Sequence, residues 1–295
     1  MMRRVLVTGR GGQLATALGN ALPAMGFDVI SVGRPDFDFE SPASISSLLA
    51  ASPMDAVVNC AAWTAVDAAE DSEAAAFRAN VTGPHEIARF CALVGVPLIH
   101  ISTDYVFDGC KGAPYIEEDV PNPRSVYGCT KLAGERAALS ASPMVIVLRT
   151  AWIYAATGRN FVRTMLRLGA ERPELRVVAD QYGNPTAAPD LADAIGTILG
   201  RIRETGWQER YRGVFHATAT GATSWHGFAE AVFEDVAVRA KCQPVIRPIA
   251  TRDYPTKAIR PTDSRLDATR LASTFCVTLP TWRVGLNRVL RELGV

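Results

Sequence analysis

Five short apolar runs recur through the first 150 residues, and helix-forming stretches lie between most of them. They are Arg4-Val-Leu-Val-Thr8, Asp28-Val-Ile-Ser-Val32, Ala56-Val-Val-Asn-Cys-Ala-Ala62, Pro97-Leu-Ile-His-Ile-Ser-Thr103 and Met144-Val-Ile-Val-Leu-Arg149. A strand with one solvated face alternates apolar and polar residues, whereas one buried on both faces reads as a continuous apolar run. Helices are expected at Gln13 to Leu22, stopped by Pro23 and Gly26, and at Ser44 to Ala51, with Ser41 and Pro42 at its start. A longer helix is expected over 72–94, interrupted near Gly83-Pro84. Strands of this kind alternating with helices specify an α/β chain, a doubly wound parallel sheet covered on both faces. That assigns 1–150 to a dinucleotide-binding domain.

The remainder changes character. Asn160 to Gly169 reads as an amphipathic helix, Leu175 to Ala179 as a strand, Asp190 to Arg203 as a helix and Gly213-Val-Phe-His-Ala217 as a strand. Shorter elements and the proline-containing stretch 244–262 then predict a smaller lobe closing over the carboxyl edge of the sheet. Residues 151–295 are thus assigned mainly to a substrate-binding lobe, with the chain returning to the first domain around 175–217. A net charge of +1 argues against nucleic acid as a partner. The six cysteines form no C-x-x-C pair and the four histidines stand at no metal-ligand spacing, which predicts reduced thiols and no metal site. Met1-Met2-Arg3-Arg4 runs straight into a strand without an apolar signal core, so the expectation is a soluble, cytoplasmic protein with no membrane partner.

Gly9-x-x-Gly12 sits between the first strand and the first helix, with Ala15 where a third glycine could stand. Glycines there let the backbone approach a pyrophosphate held on the helix N-terminus, although a plain tight turn gives the same pattern. The second strand ends Val32-Gly33-Arg34, without the carboxylate that would hold a ribose 2′-hydroxyl. A guanidinium at Arg34 suits the 2′-phosphate of NADPH, the alternative being a solvated loop arginine. Asp38 and Phe39 are expected near the adenine, after a further short strand. Ala62, Trp63 and Thr64 follow the third strand, where small residues would leave room for a cofactor or simply pack sheet on helix.

Tyr127 and Lys131 are four apart on an expected helix and share a face. A nearby ammonium favours a phenolate, so the expectation is a Tyr127 pKa drawn down from its usual ~10. Thr103 ends the fourth strand, at the sheet edge where ligands of such folds bind, and its hydroxyl could bond a carbonyl oxygen or merely cap. Trp152 could be a wall for a sugar ring or core. The basic stretch Arg247, Arg252, Lys257, Arg260 and Arg265 could be a solvated face or, in part, a diphosphate site.

Taken in order, Gly9-x-x-Gly12-Gln13-Leu14, Cys60-Ala-Ala-Trp-Thr-Ala-Val-Asp67, Ser102-Thr-Asp-Tyr-Val-Phe-Asp108, Tyr127-Gly-x-Thr-Lys131-x-x-Gly134-Glu135 and Arg149-Thr-Ala-Trp152 resemble the extended short-chain dehydrogenase/reductases. Within them the resemblance is to the dTDP-4-dehydrorhamnose reductase family. Asp180-Gln-x-Gly-x-Pro-Thr186 and Arg260-Pro-x-x-Ser264-x-Leu266 extend it over nearly the whole chain. The resemblance implies a Rossmann fold and reduction of the 4-keto group of dTDP-4-dehydro-β-L-rhamnose by NADPH or NADH. It implies Tyr127 as proton donor, Lys131 as ribose ligand and tuner of Tyr127, and Thr103 as the group orienting the keto oxygen. Thr103, Asp104 and Trp152 would touch the sugar, while Gly9, Gly12, Gln13, Leu14, Asp38, Phe39, Ala62, Trp63 and Thr64, with Tyr127 and Lys131, would touch the cofactor. Some relatives bind Mg²⁺ through glutamates at a dimer interface; the matching positions here are Ala17 and Pro189, so no metal is expected, and the chain is expected as monomer or homodimer. A sugar-nucleotide epimerase or dehydratase of the same superfamily, or a non-catalytic nucleotide-binding subunit, are the competing readings. Tyr105 after Thr103-Asp104, where dehydratases carry an acid, argues against the former.

Overall fold

A computed structural model describes residues 2–40, 45, 47, 49, 51 and 54–295, without the side chains of 236 and 240. Its centre is a parallel sheet built from β1 (Arg4–Thr8), β2 (Asp28–Val32), β3 (Ala56–Asn59), β4 (Leu98–Thr103), β5 (Val145–Thr150) and a last strand, Gly213–His216. The order across the sheet is Gly213–His216, β5, β4, β3, β1, β2. Helix α1 (Gln13–Ala24) and the helix Ala188–Thr205 cover one face; the helices Gly83–Val94 and Val126–Ala141 cover the other. β3 and β5 are buried along their whole length, which is why they are apolar without alternation. The chain runs outward from β1 to β2 and returns on the other side of β1 as β3. The crevice at the carboxyl ends of β1 and β3 is therefore the switch point where such sheets bind ligands.

Several elements differ from their sequence reading. β3 stops at Asn59 and 60–62 leave the sheet as loop, because the chain there turns into the crevice. The interruption expected at Gly83-Pro84 is a π-helical turn, Arg78–Thr82, between the helices Glu73–Phe77 and Gly83–Val94. No further strand stands between β2 and Asp38-Phe39; residues 34–36 are turn, with a cis Arg34–Pro35 bond. The start of the helix expected over 44–51, Ser41 and Pro42 included, lies outside the described residues, while Ile45, Ser47, Leu49 and Ala51 are helical.

Beyond residue 150 a second core forms around Tyr154, Val162, Phe228, Val232, Trp282 and Leu286. Phe161–Glu171 supplies one of its helices, started by Asn160, whose side chain accepts the Arg163 N–H. The strand Glu174–Val178 pairs in parallel with Val245–Ile249 in this lobe, whereas Ala188–Thr205 packs on α1 and Gly213–His216 joins β5. Among the described residues no helix is long and apolar enough to cross a membrane.

Candidate active site

The turn after β1 is shaped by backbone contacts. Gly9 adopts φ +84°, and a Cβ there would stand 3.0 Å from the Ala61 nitrogen. Gly12 begins α1 with no side chain capping its first turn, so the amide groups there are available to an anion. At the floor of the crevice Thr8 Oγ1 donates to Asn59 Oδ1 at 2.6 Å and accepts the Ala61 N–H at 3.2 Å. Asn59 bonds in turn to His100 Nδ1 at 3.0 Å. Burial holds the His100 imidazole well below its ordinary pKa, so it is neutral.

The helix Val126–Ala141 presents Tyr127 and Lys131 to β4. Ser125 caps it by accepting the Gly128 N–H at 3.1 Å. Gly128 is required where the helix meets the next loop, because a Cβ there would press into the Tyr105 carbonyl and lie 3.0 Å from Pro123 Cβ. Lys131 Nζ donates to the Ile101 carbonyl at 2.6 Å. The Thr103 side chain lies beside the Tyr127 phenol. Thr103 Oγ1 also donates to Asp104 Oδ1 at 3.0 Å, and Tyr105 packs edge-on against Tyr127 at 5.6 Å between centroids.

The charge states correct one expectation. Burial pushes the Tyr127 phenol up to about 12; the Thr103 side chain opposes this and the Asp104 carboxylate adds to it. Lys131 does not pull it down, since its ammonium is turned to the Ile101 carbonyl and is itself lowered by burial to about 8, with Glu135 opposing. Tyr127 is consequently a neutral phenol holding its proton at neutral pH. Burial likewise raises Asp104 to about 6, with Ser264 and Thr103 opposing, and among the described residues its second oxygen has no hydrogen-bond partner.

Gly9, Gly12, Gln13, Leu14, Arg34, Asp38, Phe39, Ala62, Trp63, Thr64, Thr103, Asp104, Tyr127, Lys131 and Trp152 all line one cleft of about 1150 Å³. The basic stretch does not line it. Arg247 pairs with Glu174, Lys257 with Asp71, Arg260 with Asp67 and Arg265 with Asp263. The Lys257 and Arg260 pairs strap the second lobe to the first beside the cleft rather than facing into it. Of the positions matching the metal ligands of relatives, Ala17 is buried in α1 and Pro189 begins the helix Ala188–Thr205; neither offers an oxygen side chain, so the residues present do not fit such an ion.

Four participants were not read from the sequence. Arg10 lines the cleft beside Arg34, donating to the Arg34 carbonyl at 3.3 Å and pairing with Asp36 at 3.2 Å. Asn80, fully buried in the π-turn, accepts the Trp63 N–H at 2.9 Å and donates to Thr130 Oγ1 at 3.0 Å, joining the loop after β3 to the Tyr127 helix. A polar residue inside the helical run before Gly83-Pro84 was its only signal. Trp225 lies face to face with Trp152, centroids 3.5 Å apart, and Trp152 is held at φ +49°. Glu135 is buried with Arg149 and Ser102 behind Lys131.

Known proteins share this fold over nearly the whole chain. The family model for the RmlD substrate binding domain matches residues 2–295. The chain is 43% identical to the dTDP-4-dehydrorhamnose reductase of Sinorhizobium fredii over 98% of its own length and 97% of that protein's. It is 40% identical to that of Escherichia coli K12, over 98% and 97%. A crystal structure of dTDP-4-dehydrorhamnose reductase from Bacillus anthracis in complex with NADP superposes with a TM-score of 0.89 at 33% identity, covering 99% of this chain and 100% of that one.

Proposed function

From its membership in the dTDP-4-dehydrorhamnose reductase family of nicotinamide-dependent oxidoreductases, we propose that this chain reduces the 4-keto group of dTDP-4-dehydro-β-L-rhamnose to dTDP-β-L-rhamnose. The observation that carries the reading is the convergence of the Thr103 and Tyr127 hydroxyls and Lys131 on one cleft that also holds the Gly9-to-Gly12 turn. The crowded Gly9 and uncapped α1 suit a pyrophosphate, with Ala62, Trp63, Thr64 and Lys131 toward the nicotinamide end and Asp38 and Phe39 toward the adenine. When bound, the reduced nicotinamide supplies the hydride.

The protein's part is to hold the ketone and deliver a proton. Thr103 and Tyr127 stand side by side in the cleft, and the Thr103 hydroxyl, which donates to Asp104 here, turns from it to share one keto oxygen with the phenol. Charge develops on that oxygen as its carbon is reduced, and the neutral Tyr127 phenol transfers its proton there. Lys131, held by its bond to the Ile101 carbonyl, is placed to bind the nicotinamide ribose. Trp152, backed by Trp225, gives the sugar an apolar wall. Arg34, with Arg10 beside it, favours a 2′-phosphate, and with it NADPH over NADH, since β2 runs into Gly33-Arg34 rather than a carboxylate and the nearby Asp36 is taken up by Arg10.

The test is NADPH oxidation with enzymatically prepared dTDP-4-dehydrorhamnose, run in parallel with NADH. Tyr127→Phe should lower kcat by about 10²–10⁴ with NADPH Kd retained. Full turnover by that variant would refute the role of Tyr127.

A further inference from the structure

We propose that Glu135 is a positioning residue of this site: its buried carboxylate is the counter-charge that keeps Lys131 protonated, and it is held in place by Arg149 and Ser102. The role rests on the reductase reading insofar as it concerns turnover, but the charge relation is a property of the protein alone. Glu135 stands one helical turn beyond Lys131 on the same face, and the two side chains are 1% and 2% exposed as residues. Its carboxylate takes two parallel bonds from Arg149, Nε at 2.9 Å and Nη2 at 2.7 Å, and a third from Ser102 Oγ at 2.5 Å. Ser102 directly follows Ile101, whose carbonyl receives the Lys131 ammonium, and directly precedes Thr103. One carboxylate therefore ties the catalytic helix to both β4 and β5 at the residues that orient the lysine and the threonine.

Lys131 needs such a counter-charge because burial favours its neutral form. The other groups around it supply little. Cys60, from the segment after β3, is a thiol that burial holds protonated. His100 on β4 is neutral, Asp104 at the end of β4 is engaged with Thr103, and Tyr127 keeps its proton. Arg149 on β5 is like-charged but spends its guanidinium on Glu135 and on the Phe107 ring, 5.1 Å away. From the helices packed on the outside, Glu70 is turned to the Val126 N–H and Arg78 to Glu40. Among the described residues Glu135, though bonded by Arg149 and Ser102, is the buried carboxylate on the same face of the helix as Lys131.

The chain has four lysines, 111, 131, 241 and 257, so ¹³Cε-lysine NMR resolves the titration of Lys131, assigned by its loss in Lys131→Met. In Glu135→Gln the Lys131 midpoint should fall by about one pH unit or more, and Glu135→Asp should restore most of it. In the assay, the alkaline limb of kcat should move by the same amount while NADPH Kd at pH 6.5 stays within a few-fold. Should Glu135→Gln fail to fold with Arg149 unpaired, Glu135→Gln/Arg149→Met removes both charges, and a lowered midpoint is expected there too. An unchanged Lys131 midpoint in whichever of these variants folds overturns the proposal. Because the titration needs no sugar, a Glu135→Gln chain that shows the shift, beside a wild-type chain that reduces no keto-sugar, would refute the reductase reading alone.

Discussion

Gly128→Ala tests how finely the proton donor must be placed. In a helix Ala is favoured over Gly by about 1 kcal/mol, so propensity alone predicts a gain. Packing opposes it: the new Cβ would lie 3.1 Å from the Tyr105 carbonyl carbon and 3.0 Å from Pro123 Cβ, with the carbonyl oxygen closer still. That oxygen projects about 1.2 Å beyond its carbon, so ordinary contact requires the helix and the Tyr105 backbone to part by about 1 Å. Overpacking of this kind costs about 1–3 kcal/mol, which outweighs the propensity. Tyr127 precedes the substituted residue and Tyr105 packs on its ring, so the same movement displaces the phenol from Thr103. A misplacement of about 1 Å is expected to cost about 100-fold in kcat. Steady-state kcat at saturating substrate, NADPH Kd and Tm are measured together. Gly200→Ala is the control, since a Cβ there meets nothing within 4 Å, and it should raise Tm slightly with kcat unchanged. A Gly128→Ala enzyme with wild-type kcat would refute the argument.

Asp104→Asn should trade activity for stability. The folded-state pKa of Asp104, about 6, lies above the ~3.9 of an unfolded aspartate, so the carboxylate's penalty is absent at low pH, builds as pH rises through that window, and is complete above it. Two units correspond to about 3 kcal/mol, so the variant should gain several degrees of Tm at pH 8, little at pH 4, and lose kcat; equal Tm changes at both pH values would contradict the assignment. Trp225→Leu should raise KM for the sugar nucleotide by about 3- to 10-fold, the worth of one aromatic stack, leave NADPH Kd unaltered and remove near-ultraviolet circular dichroism from the stacked indoles. An unchanged KM alongside the lost signal would mean that Trp152 does not depend on Trp225.

The sheet and the cleft were legible because strands buried on both faces are written as unbroken apolar runs, and their carboxyl ends then gather 8–12, 60–64 and 103–104 at one edge. The charge of Tyr127 was not. A Tyr and a Lys four apart on a helix suggest mutual influence, but the outcome depends on how much water the rest of the chain excludes, and burial reverses the sign. The pairing of the basic stretch was hidden for a related reason: the carboxylates bonded to Lys257 and Arg260 stand 186 and 193 residues upstream. Glu135 and Arg149 looked like an ordinary helix glutamate and a strand-end arginine until the fold placed them in contact. The strand Glu174–Val178 was recognised as a strand, yet its partner, Val245–Ile249, is chosen by the second core and not by anything local.

The sheet is completed late. β5 emerges by residue 150, but the strand that covers its far side is 213–216, after Phe161–Glu171, Glu174–Val178 and Ala188–Thr205 have been made. While the chain is being synthesised, β5 stays an open edge over the interval in which residues 151–212 leave the ribosome, and all six of its residues are buried in the finished molecule. Unpaired apolar edges template intermolecular pairing, so nascent chains of this length are the form most exposed to aggregation and most in need of a chaperone. The same ordering means that the nucleotide-binding half cannot be cut out at residue 150 without inheriting that edge.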